Sequence, residues 1–192
     1  MRIVGGSHRG RVLQAPEGRD TRPTGDRARQ ALFNILEHGA VASGGSILAG
    51  ARVLDIFAGT GALGLEALSR GAVHAGFFEQ APAALKILKA NIAGLREEPR
   101  TRILAGDATR PPKAPAGAAA SLVFLDPPYH TGAGTAALTA LGSAGWLAPA
   151  ALAVLELAAD EPVVPQPGAD ILEERRYGAA RLVFLRLPGE GP

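Results

Sequence analysis

Val53-Leu54-Asp55-Ile56-Phe57-Ala58-Gly59-Thr60-Gly61-Ala62-Leu63-Gly64 passes from a short apolar run through a glycine-rich turn into a helical period that stops at Gly71. A strand, a sharp turn and a helix in that order form the opening unit of a parallel α/β sheet, with the turn at a carboxyl-terminal strand end where ligands bind. Downstream the alternation repeats. Val73 to Phe78 reads as a strand, and Pro82 starts a helix whose face is Ala84, Leu85, Leu88 and Ile92 and whose end is Gly94. Thr101 to Leu104, Leu122 to Leu125 and Ala151 to Leu157 read as further strands, with a helix between about Gly134 and Gly142. Strands that are apolar throughout require cover on both faces. Ile171 to Tyr177 and Arg181 to Leu187 flank Gly178-Ala179, so the sheet closes on an antiparallel hairpin.

Upstream, Arg2 to Val4 and Arg11 to Gln14 read as the arms of a β-hairpin turned by Gly5, Gly6 and Gly10. Ala28, Ala31, Leu32, Ile35 and Leu36 predict a helix over about 26–37. Glycines between 39 and 50 separate this piece from the sheet, giving an expected division into 1–40, a small extension, and 41–192, an α/β domain. The chain has 192 residues, enough for one domain with a real core, and a formal net charge of only +2. That total is uneven: residues 1–30 hold seven arginines against Glu17, Asp20 and Asp26, a local +4, so the remainder sums to −2. With no cysteine, disulfides and thiol chemistry are excluded. His8, His38, His74 and His130 have no metal-ligand spacing, so no metal is expected. The amino terminus has no signal-peptide core and no run is long enough to span a membrane; the expectation is a cytoplasmic, monomeric protein.

Gly59, Gly61 and Gly64 match the spacing of a dinucleotide turn, and Glu79 lies where a ribose-binding acid would stand. A nicotinamide cofactor is one reading. Asp55 opposes it, because a carboxylate beside the turn repels a pyrophosphate and suits an ammonium. S-adenosylmethionine carries that ammonium and a ribose, and has no phosphates. Asp107, after the third strand, could accept from an adenine amine or simply cap a turn. Asp126-Pro127-Pro128-Tyr129 follows directly on an apolar strand. Read as chemistry, Asp126 and the Pro127 carbonyl accept the two N–H bonds of a nucleobase amine and draw its lone pair out of the ring, while Tyr129 stacks on the base. Read blandly, it is an Asp-Pro turn with a surface tyrosine. Arg2, Arg9 and Arg11, with His8, make either a phosphate-binding patch or a solvated basic face.

These motifs resemble class I amino-methyltransferases acting on nucleic acid. More closely, Arg2 to Gly6, Gly10-Arg11, Thr21 to Thr24, Asp26-Arg27, Ala31 to Leu36, Val53 to Gly71 and Gly145-Trp146-Leu147 resemble the bacterial 16S ribosomal RNA guanine-N2 methyltransferase family. The resemblance covers most of the chain; Gln80 and Gly25 depart from it modestly. It implies a Rossmann-like seven-stranded sheet, S-adenosylmethionine as donor, and a guanine amine in small-subunit RNA as acceptor. It also implies cofactor contacts from Asp55, Phe57, Gly59, Gly61, Glu79, Asp107, Ala108 and Thr24, and RNA contacts that include Arg22. A DNA adenine-N6 methyltransferase is the nearest alternative, disfavoured because little chain remains to read a duplex. A non-catalytic RNA-binding assembly factor would leave Asp55, Glu79 and Asp126 without a task.

Overall fold

The computed structural model describes residues 1–16, 23–42 and 45–189, with side chains omitted for 23–26. Its helices are α1 (Pro23–His38), α2 (Ala62–Ser69), α3 (Pro82–Leu95) and α4 (Ala133–Ser143). Its strands are β1 (Arg52–Ile56), β2 (His74–Glu79), β3 (Thr101–Ala105), β4 (Ala120–Leu125), β5 (Leu147–Ala158), β6 (Asp170–Tyr177) and β7 (Ala180–Arg186). They form one seven-stranded sheet in the order β3-β2-β1-β4-β5-β7-β6, parallel from β3 to β5, with β7 antiparallel to both neighbours. The expected α/β sheet and its closing hairpin are therefore present. Gly178, with φ of 62°, supplies the positive backbone angle at the hairpin turn.

Side chains alternate strictly between two buried layers, as the pleat requires. Val53, Phe77, Leu122, Phe124, Val154 and Phe184 face α1, α2 and α3, whereas Leu54, Ile56, Phe78, Val123, Leu125, Leu155 and Leu185 face the side that carries α4 and Trp146. Phe33 of α1 reaches the first layer, its ring centroid 5.7 Å from that of Phe124. Emptying such a fully buried phenylalanine site costs about 3–5 kcal/mol.

At the amino terminus the expected hairpin is present in short form: an antiparallel bridge joins Arg2 to Val12, and Ile3 N donates to the Arg11 carbonyl, Gly10 N to the Ile3 carbonyl and Leu13 N to the Met1 carbonyl. The turn is also held from outside. Buried Glu66 of α2 accepts from Val4 N and Gly5 N, both at 2.8 Å, and pairs with Arg70 Nε at 2.7 Å. A Cβ on Gly6 would stand 1.8 Å from the Ser69 carbonyl oxygen, so only glycine fits against the end of α2. Ile3 and Leu13 then enter the same apolar layer as Phe33 and Phe124. Docking onto α2, with side chains inserted in the core, adds to the pairing of the two arms, which is too short to be stable alone. Helix α1 begins at Pro23, three residues earlier than its apolar face predicts, because proline is accommodated in a first helical turn.

Candidate functional site

The strand order reverses between β1 and β4, and the carboxyl ends of those two strands are in register, Ile56 beside Leu125. An open cleft of about 1140 Å³ crosses this point. On the β1–β2–β3 side its walls include Asp55, Phe57, Gly59, Thr60, Glu79, Gly106 and Ala108; on the β4–β5–β7 side they include Asp126, Pro127, Pro128, Tyr129 and Glu156. The motifs singled out in sequence thus converge on one surface.

Asp55 is the penultimate residue of β1, on the face turned towards α2. Its carboxylate is buried, and Oδ2 accepts from Gly64 N at 2.8 Å, in the first turn of α2 where helix N–H groups lack partners. Burial pushes its pKa up to about 8; the Gly64 N–H opposes the shift, and the nearby carboxylates of Asp126 and Glu79 add to it. A buried acid flanked by two further acids is arranged to gain from a cation. Phe57 takes a left-handed backbone angle, φ 62°, which is costly for a bulky residue and turns the chain out of β1. Gly59 N donates to Glu79 Oε2 at 2.8 Å, while Glu79 Oε1 accepts from Gln80 N and Ala81 N. Glu79 therefore ties the glycine turn to the end of β2.

Gly61 serves packing. It has φ of 78°, and a Cβ there would meet Leu88 Cδ1 at 2.4 Å, so α2 and α3 close over it. Asp107 Oδ1 accepts from both the backbone N and the hydroxyl of Thr109 at 2.8 Å, the turn-capping geometry, and these bonds hold its carboxyl below the usual range. Its neighbours Gly106 and Ala108 line the cleft. Thr24 lies in α1 with its side chain outside the description, and Arg22 lies outside the described residues.

On the other side, Pro127 is buried and Asp126 exposed, with Asp126 N reaching the Ile56 carbonyl at 3.4 Å. The Tyr129 hydroxyl donates to Glu156 Oε1 at 2.7 Å. Arg2, Arg9 and Arg11 are exposed on the amino-terminal turn, and Arg11 Nη2 donates to the Gly94 carbonyl. His8 is turned inward, its Nε2 2.5 Å from Glu97 Oε1, which removes it from the basic patch. Both ends of this segment, Met1 and Ala15-Pro16, border the cleft, as do Ala28, Arg29 and Leu32 of α1.

Sequence reasoning missed Glu156, Glu66, Asn91 and Arg29. The first two carried a signal, a lone acid inside an otherwise apolar strand or helix, which folding keeps only where the charge is used. Asn91 carried none: its amide bridges Gln14 and the Thr60 carbonyl, joining the amino-terminal segment to the glycine turn. Nor did Arg29, buried in α1, whose Nη2 donates to the Arg2 carbonyl.

Sheet order, antiparallel edge and cleft together define a Rossmann-like methyltransferase. The chain belongs to the family described as Conserved hypothetical protein 95, whose model matches residues 1–186. It is 38% identical over 167 residues to the Ribosomal RNA small subunit methyltransferase D of Escherichia coli K12, covering 86% of this chain and 79% of that one. The protein of the same name from Haemophilus influenzae is 33% identical over 180 residues, 93% of this chain and 89% of that one. Among solved structures, a candidate methyltransferase of Escherichia coli superposes with a TM-score of 0.80 at 34% identity, covering 99% of each chain. No described helix is long and apolar enough to cross a membrane.

Proposed function

We propose that the protein transfers a methyl group from S-adenosylmethionine to the exocyclic N2 amine of a guanine in 16S ribosomal RNA. The observation that carries this reading is the shared cleft: a buried acid and a glycine turn on one side of the switch point, and Asp126 to Tyr129 on the other. The cofactor residues suit their ligand. Asp55, buried among acids, favours the ammonium; Glu79, the ribose hydroxyls; Phe57 and Ala108, the apolar surfaces of the adenosine; Asp107 and Thr24 complete that set. When bound, the cofactor supplies a methyl carbon made electrophilic by its sulfonium.

The chain's remaining task is to prepare and aim the amine. Asp126 and the Pro127 carbonyl accept its two hydrogens, which favours a pyramidal nitrogen with its lone pair directed across the cleft. Two consecutive prolines fix the backbone that holds them. Tyr129, anchored through its hydroxyl, offers a stacking face to a base taken out of its helix or loop. Asp126 takes up the departing proton transiently or passes it to water; positioning dominates and a strong base is not required. The extension 1–40 is assigned to the RNA, with Arg2, Arg9, Arg11 and Arg22 as phosphate contacts.

The names of the relatives favour ribosomal RNA over DNA as acceptor. Transfer of labelled methyl groups to small ribosomal subunits, with the label recovered as N2-methylguanine and none in duplex DNA, is the expected result. Label recovered as N6-methyladenine in DNA overturns the reading, and failure to bind S-adenosylmethionine returns the protein to RNA binding without catalysis.

A further inference from the structure

Glu156 stands in the acceptor half of the cleft, and nothing in the transfer chemistry above uses its charge. Its position is fixed by the sheet. Leu125 of β4 is in register with Leu155 of β5, so the next residues are Asp126, just past the end of β4, and Glu156, near the end of β5 beside it. Both continue the face that holds Phe124 and Val154, the face on which Asp55 also lies. On the far side Glu156 is in register with Leu182 of β7, which supplies no counter-charge. Nearby Arg181 is engaged by Glu174 and by the Glu161 carbonyl. Glu156 Oε1 accepts from the Tyr129 hydroxyl, whereas Oε2 takes no hydrogen bond or ion pair among the described residues.

A half-buried carboxylate that lines a cleft and has only one oxygen committed acts as a hydrogen-bond acceptor for whatever enters. A base whose 2-amine is held by Asp126 and the Pro127 carbonyl brings the next atom of its Watson–Crick edge, N1, towards the neighbouring strand. In guanine N1 carries a hydrogen. In adenine and cytosine the ring nitrogen beside the amine is a bare acceptor, and so is N1 of 2-aminopurine. A carboxylate there rewards the first and repels the others, because two acceptors face each other with no proton between them.

We infer that Glu156 is the residue that selects guanine, accepting the N1–H while Asp126 and Pro127 hold the adjacent 2-amine. The inference rests on the proposed guanine-N2 activity and assigns that site its base discrimination. Through the Tyr129 hydroxyl the same side chain also fixes the stacking ring, so reading and stacking share one anchor.

The test uses the full-length protein and two RNA substrates that differ only at the methylated position, guanine or 2-aminopurine. Both carry the reacting 2-amine; only guanine has N1–H. Wild type is expected to prefer guanine by at least about 100-fold in kcat/KM. Glu156→Gln keeps the size and an acceptor for Tyr129 but offers an amide N–H to a bare N1. It is expected to bring the ratio to within about 10-fold, by losing guanine and gaining 2-aminopurine. Tyr129→Phe keeps the carboxylate and loses its anchor, and is expected to lower both rates while the preference stays above 30-fold. If Glu156→Gln lowers both rates and leaves the ratio unchanged, Glu156 only positions Tyr129 and the inference fails. Should Glu156→Gln fold poorly by thermal melting, Glu156→Ala is read against the same ratio. If wild type leaves no N2-methylguanine in the guanine substrate, it is the underlying activity that fails, a different outcome from an unchanged ratio.

Discussion

Asp55→Asn is the perturbation with the most to say, because stability and cofactor binding should move in opposite directions. The carboxyl has an ordinary value of 3.8 and is raised to about 8 in the fold, chiefly by burial. Between those values the folded state binds more protons than the unfolded chain, so stability falls as pH rises through the window. Integrated from pH 5 to pH 8, this single group costs the ligand-free protein up to about 4 kcal/mol. Asparagine has the same shape, its oxygen can accept from Gly64 N, and it does not titrate. The melting temperature of Asp55→Asn should therefore gain on wild type as pH rises, by on the order of 10 °C more at pH 8 than at pH 5, taking roughly 2–4 °C per kcal/mol for a chain of this size. Thermal melts of both proteins across that range measure it, and the pH dependence of all other groups cancels in the difference. Calorimetry with S-adenosylhomocysteine, which keeps the ammonium, should show the reverse: binding weaker by about 2–3 kcal/mol, roughly 30–150-fold, from loss of a charged partner. Parallel melting curves would refute the raised acid, and unchanged affinity would refute its assignment to the ammonium.

Asp126→Ala should lower methyl transfer by at least about 100-fold while S-adenosylhomocysteine binding stays within about threefold, since the side chain is exposed on the acceptor side; equal loss of both would place it with the cofactor. Arg9→Ala combined with Arg11→Ala should weaken RNA binding and reduce the salt slope by about 1.5, as two phosphate contacts disappear; an unchanged slope in filter-binding titrations would count against the patch. Glu66→Ala should cost about 3–5 kcal/mol in chemical denaturation, because it leaves Arg70 Nε and two backbone N–H groups without their acceptor, Arg70 keeping only its Nη1 pair with Glu37.

Most of the sheet was legible because its strands are continuous apolar runs and the intervening helices show their period. The turns were legible because Gly59, Gly178 and Asp126-Pro127-Pro128 are residue types that dictate backbone shape. What could not be read was the fastening of the amino terminus. Pattern suggested the hairpin, whose arms do pair, but not the residues that dock it: Glu66, Ser69 and Asn91 lie on helices more than 60 positions away along the chain. Register likewise hid Glu156. Its partnership with Asp126 depends on which strands are neighbours, and β4 and β5 are joined only through α4. His8 shows the limit of composition: charge at an exposed turn suggests phosphate, yet Glu97, drawn down by hydrogen bonds from Arg100 and His8 against the push of burial, claims it.

On the proposed reading, in which the first sixteen residues face RNA, their docking sets how that surface can change. Ile3 and Leu13 are committed to the interior and Gly6 to its close contact with the end of α2, while Arg2, Arg9 and Arg11 project from the same short turn. Affinity can be retuned at the arginines with little effect on folding, whereas any shift of the apolar or glycine positions is felt first as lost stability. A wall anchored in this way also has no hinge of its own within the turn. In the proposed guanine-N2 transfer, the described turn therefore meets the nucleic acid as a fixed surface, and a guanine already freed from stacking is the cheapest one to capture.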